Sequence, residues 1–145
     1  MQDELRNKTR HVFVGYDSRE HIPFKVCAHS LTRRSSTPVE VTPIYHKTLR
    51  HAGMFYRAWQ IDEDGQYYDD VDNRPFSTEF SHTRFLVPEI ARRNNLSGWV
   101  LFCDSDFLFL SDVCEVFKYC DDDYAVMCVK HNYTPEETVK MDGML

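Results

Sequence analysis

Asp104 and Asp106 stand one residue apart inside the run WVLFCDSDFLFL at 99–110, and no Lys or Arg occurs from 99 to 117. A carboxylate buried in such surroundings costs several kcal/mol unless a cation or a set of donors compensates it. On an extended backbone, residues two apart share a face. Both carboxylates can therefore point the same way at the end of a buried strand. Oxygen ligands placed like this suit a hard divalent cation, Mn2+ or Mg2+. Such a cation completes its shell with water and substrate phosphates, and it acts as a Lewis acid on a phosphate leaving group. The spacing thus points to a phosphate-bearing substrate. A lone D-x-D is common, and a turn begun by Asp106 with Asp104 as a local cap is the plainer alternative. The apolar flanks on both sides weigh against it.

These groups need elements to hold them. Residues 11–16, HVFVGY, are apolar and β-rich and end at Asp17, which predicts a buried first strand. Phe24, Cys27, Ala28 and Leu31 have helical spacing over 21–34, with Pro23 suited to a first turn. Residues 39–46, VEVTPIYH, predict a second strand, in which Pro43 demands an edge position or a bulge. Residues 47–77 lack periodicity and read as a long loop or lid, with 53–59 compatible with a short helix. Residues 78–95 read as helical, and Pro88 either kinks that helix or opens a new first turn. The D-x-D strand follows, expected at the centre of the sheet. Ser111 and Asp112 then cap a helix over 113–119, with Glu115 placed for a capping box, and 124–129 predicts a last strand. Strands alternating with helices predict an α/β fold, a mostly parallel sheet flanked by helices. Ligands of such sheets bind beyond the carboxyl ends of the strands, where Asp17 and the D-x-D pair would face one crevice.

The 145 residues suit a single domain over 1–145, with a flexible stretch at 1–10. A net charge of −6 lacks the basic surface that a nucleic-acid partner requires. Arg33, Arg34, Arg92 and Arg93 read as solvated helix ends. Five cysteines without a C-x-x-C pair read as reduced thiols of a cytoplasmic protein rather than a zinc site. The charged start MQDELRNKTR is not a secretion signal. No apolar run approaches the roughly 20 residues of a transmembrane segment. An incomplete sheet with an open edge leaves room for a homodimer.

Three motifs recur in a familiar order. VFVGYDSRE at 12–20 is an apolar strand ending in an acid; Ser81, Arg84, Leu86 and Pro88 lie in SHTRFLVP; and VLFCDSDFLFLSDV at 100–113 joins strand, D-x-D, apolar run and acidic cap. Together they resemble the GT-A-fold glycosyltransferases, most closely family 8, the glycogenin and lipooligosaccharide galactosyltransferase type. The resemblance implies a Rossmann-like GT-A nucleotide-sugar-binding fold, short or truncated here. It implies transfer of a hexose from a nucleotide-sugar, UDP-linked, to an unassigned glycan, protein or lipid acceptor. By the same resemblance Asp104 and Asp106 hold Mn2+ or Mg2+ and, through it, the diphosphate. Ser105 approaches the ribose, Asp17 contacts the base beside Gly15, Tyr16 stacks on it, and Arg84 reaches the sugar or its phosphates. His131 falls on the acceptor side, and no catalytic base or nucleophile is assigned. From the residues alone, Arg84 also reads as a helix-surface ion pair and Tyr16 as core. Two other classes stay open. One is a non-catalytic nucleotide- or metal-binding module from a truncated transferase. The other is a metal-dependent phosphohydrolase with Asp104 as nucleophile, although Leu108 stands where D-x-D-x-[TV] would apply.

Overall fold

A run of small β-branched and aromatic residues that is apolar on both faces belongs in the middle of a sheet. β1 (Arg10–Gly15) fits this, since Val12, Phe13 and Val14 are all buried. A computed structural model describes residues 9–130, 132 and 134. In it β1 pairs in parallel with β2 (Val39–Ile44) on one side and with β6 (Leu101–Cys103) on the other. Val12 lies opposite both Val41 and Leu101, and Val14 opposite Cys103. The chain is thus α/β with a parallel sheet, as the alternation of elements predicts. Pro43 sits on β2, an edge strand, where a missing N–H breaks no ladder.

Alternation along β1 sends Val12 and Val14 to one face and Phe13 to the other. The first face packs on helix α1 (His21–Arg34) through Cys27 and Leu31, and on Val113 and Cys114. The second packs on Leu49 of α2 (His46–His51) and on Val87 and Ile90 of α3 (Val87–Arg93). Pro88 lies in the first turn of α3, after a 3-10 turn at Thr83–Leu86, so it opens a new helix. Asp112 caps a 3-10 helix at Val113–Tyr119 by accepting from the Cys114 N–H at 2.9 Å, whereas Glu115 binds Lys118 and forms no capping box.

Three expectations change. The D-x-D strand is an edge strand of three residues, because β1 carries the more complete apolar cover and takes the centre. Residues 124–129 form no strand and are exposed, since a strand needs a paired neighbour and none among the described residues lies beside them. Residues 47–77 are not a bare loop. They hold most of α2 and an antiparallel sheet of β3 (Trp59–Ile61), β4 (Tyr67–Asp69) and β5 (Arg74–Phe76). Trp59, Tyr67 and Phe76 bind this small sheet together, with ring centroids 5.3 to 5.6 Å apart. No helix among the described residues is long and apolar enough to cross a membrane.

Candidate functional site

Parallel pairing puts the carboxyl ends of β1, β2 and β6 on one edge. The chain leaves those ends toward Asp17, His46 and Asp104 respectively. The antiparallel sheet closes the β1–β2 half of this edge, where Tyr67 reaches Asp17, and among the described residues the β6 half stays open.

In the closed half Asp17 is fully buried and accepts five hydrogen bonds. Its Oδ1 accepts from the Arg19 N–H at 2.8 Å, Arg19 Nε at 3.3 Å and the Tyr67 hydroxyl at 3.0 Å. Its Oδ2 accepts from Arg19 Nη2 at 3.2 Å and the Glu79 N–H at 3.0 Å. Burial pushes the carboxyl up, and these donors outweigh it and hold Asp17 below the ordinary carboxylate range. Arg19 lies 3.7 Å over the Tyr67 ring and donates to the Ser77 carbonyl at 2.6 Å. Asp17 is therefore a fastener between β1 and the antiparallel sheet, and its carboxylate is not presented to a base. Beside it, His46 is buried 3.7 Å from Glu79 with neither ring nitrogen hydrogen-bonded. Burial holds this imidazole below its ordinary pKa, against a smaller pull from Glu79.

Gly15 serves packing. A Cβ there would meet the Phe80 ring at 2.4 Å, so only glycine lets Phe80 close over the end of β1. Tyr16 is half-buried among Tyr45, Phe24 and His21, with centroids at 4.4, 5.3 and 6.0 Å. Ser105 is buried, and its hydroxyl donates to Glu20 rather than facing a ribose. His131 lies outside the described residues.

In the open half the chain leaves β6 in a turn that carries Asp104 half-exposed and Asp106 exposed. Arg84 Nη1 donates to Asp104 Oδ1 at 3.3 Å. The guanidinium is braced 5.0 Å from Phe80 and 5.7 Å from Phe102. Burial raises the Asp104 carboxyl; Arg84 opposes that shift and Asp106 adds to it. Two sequence-predicted groups, Arg84 and Asp104, thus meet across the edge, and Asp106 is close enough to be felt. Sequence reasoning missed Arg19, Glu20, Tyr45, His46, Tyr67 and Glu79. Arg19 had a signal, because a buried aspartate with an arginine two residues on can satisfy itself locally.

Among the described residues no three His, Cys, Asp or Glu side chains converge on one cation position. A cation at this edge would have two carboxylates, with water or ligand oxygens supplying the rest. That donor set fits Mg2+ or Mn2+ in the company of phosphates and does not fit an all-protein cage.

No family model and no solved structure matches the chain. It is similar to Protein CDI of Arabidopsis thaliana, at 48% identity over 132 residues, which cover 91% of this chain and 45% of that protein. The chain therefore spans less than half the length of this curated relative. The likeness to family 8 glycosyltransferases is not upheld, since no model or structure of that kind matches and the curated similarity lies elsewhere. The motifs that suggested it are short patterns, an apolar strand ending in an acid, that many α/β proteins satisfy.

Proposed function

We propose that the open half of the edge binds a diphosphate through Mn2+ or Mg2+, and that the protein is a hexosyltransferase using a nucleotide-sugar, UDP-linked, as donor. One observation carries the reading. Asp104, Asp106 and Arg84 stand at the carboxyl edge with one side-chain hydrogen bond between Arg84 and Asp104 among the described residues, while Asp17 at the end of the neighbouring strand accepts five. A Rossmann-like nucleotide-sugar-binding arrangement is the finer architecture this reading entails. The acceptor is a glycan, protein or lipid, and the free cysteines suit a cytoplasmic location.

In this reading Asp104 and Asp106 hold the cation. A bound cation there offsets the charge that develops on a departing diphosphate. Arg84 donates to phosphate oxygens with its planar fork. The Ser105–Glu20 hydrogen bond fixes the turn between the two acids. Tyr45, exposed at the end of β2 with its ring against Tyr16, offers the base a surface.

Titration calorimetry with UDP and Mn2+, followed by a UDP-hexose turnover assay, tests this. The expected result is UDP binding that requires Mn2+ and is lost in Asp104→Ala and Asp106→Ala, with slow hydrolysis or transfer of the hexose. Binding without turnover in any acceptor library would leave a nucleotide-binding module. Hydrolysis of a generic phosphate ester without UDP affinity would replace the transferase with a phosphohydrolase acting through Asp104.

A further inference from the structure

Arg84 and Asp104 are a loose pair. Their 3.3 Å separation exceeds the ~2.7–2.9 Å of tight charge-assisted bonds, and Arg57 and Asp69 in the closed half stand at 2.6 Å. Both side chains are partly exposed, at 29% and 39%. Arg84 Nε is buried and makes no hydrogen bond among the described residues, and the guanidinium lies against Phe80 and Phe102. Asp106, two residues on, has no ionic partner among the described residues.

We infer that Arg84 is an exchangeable counter-ion of Asp104, so that cation and diphosphate bind this edge as a pair and each binds poorly alone. The inference rests on the reading that the edge takes a cation and a diphosphate. A cation arriving alone must displace a guanidinium already neutralising Asp104. A diphosphate arriving alone meets two carboxylates and an arginine that is engaged. When both arrive, the diphosphate takes the guanidinium, Asp104 passes to the cation, and the charges balance. The coupling is reciprocal, since a ligand that tightens the other must be tightened equally by it.

The test is calorimetry on the full chain with MnCl2 alone, inorganic pyrophosphate alone, and each in the presence of the other. Arg84→Ala is expected to bind Mn2+ alone about two- to fivefold tighter, the scale of an exposed ion pair removed. Its coupling between Mn2+ and pyrophosphate is expected to fall about tenfold, the scale of one lost charged hydrogen bond. Asp104→Asn frees Arg84 and is expected to bind pyrophosphate alone more tightly than Asp106→Asn, although each removes one negative charge. Urea midpoints show that the variants are folded. Mn2+ affinity unchanged or weakened in Arg84→Ala with coupling intact overturns the exchange, as does equal pyrophosphate binding by the two Asn variants. Those results leave Mn2+-dependent UDP binding standing. Failure of the wild-type chain to bind either ligand even in the presence of the other overturns the exchange together with the functional reading.

Discussion

Asp17 and Asp104 both follow the carboxyl end of a parallel strand in the same sheet, and the fold treats them in opposite ways. Asp17 is enclosed by five hydrogen bonds from Arg19, Tyr67 and Glu79. Asp104 has one long contact with Arg84 and a second carboxylate nearby. The first arrangement lowers the carboxyl's pKa and the second raises it. A group stabilised by its surroundings holds a fold together, and one held at a disadvantage is available to a ligand. The antiparallel sheet makes the difference, because Tyr67 and the segment leading to Glu79 close over β1 and stop short of β6.

Removing charge from each acid is the sharpest way to break this comparison. Asp17→Asn is expected to cost about 2–3 kcal/mol in urea unfolding, since it turns an amide N–H toward either the Arg19 N–H or the Glu79 N–H and weakens the contact with half-exposed Arg19. An equally mild effect at both aspartates would erase the distinction. Next in size is Gly15→Ala. Its Cβ would fall 2.4 Å from the Phe80 ring, an overpacking of about 1–3 kcal/mol. Phe80 also braces Arg84, so this variant is expected to weaken Mn2+–UDP binding too, linking the halves. Smaller again is Tyr67→Phe, which withdraws the single hydroxyl proton shared by Asp17 and Glu79 at about 1–2 kcal/mol and leaves ligand binding intact.

The elements built on local periodicity were legible: β1, β2 and α1, with Pro43 marking an edge and Pro88 a helix start. Strand order was not, because a three-residue strand such as β6 carries no sign of which neighbour it takes. The antiparallel sheet escaped for the same reason. Its strands are too short for a period of two, and Trp59, Tyr67 and Phe76 signal it only through contacts distant in sequence. In the site, the pairing of Arg84 with Asp104 lay within reach of the motif reading. The fate of Asp17 did not, since its partner Tyr67 comes from the stretch that looked structureless and Glu79 from residues that read as the start of a helix.

The smallest effect is the most informative, because its sign depends on pH. Asp17 has a lowered carboxyl, so its contribution is present above the unfolded value of 3.8 and is lost as pH falls through the folded one. Asp104 is raised by burial first, with Asp106 adding and Arg84 opposing. Its folded form takes a proton before the unfolded chain does, so stability is lost as pH rises through the folded pKa. Asparagine imitates the protonated carboxyl. Asp104→Asn is therefore expected to be neutral or stabilising at pH 7, within about 0.5 kcal/mol, and the gain should vanish on acidification. Asp17→Asn should be costly at pH 7, and that cost should shrink as the wild type loses its own carboxylate. His46, lowered from 6.5 by burial, weakens the fold as pH falls below that value; it cancels in the comparison with Asp104→Asn but adds to the acid sensitivity of Asp17→Asn, because the Asp17 charge opposes its shift. Urea unfolding of wild type and both variants at pH 7 and at about pH 2–3, below the unfolded carboxyl value, reads the two signs directly. A loss of stability in Asp104→Asn at pH 7 would make the Arg84 contact a structural ion pair, and the open half would have no more claim to a ligand than the closed one.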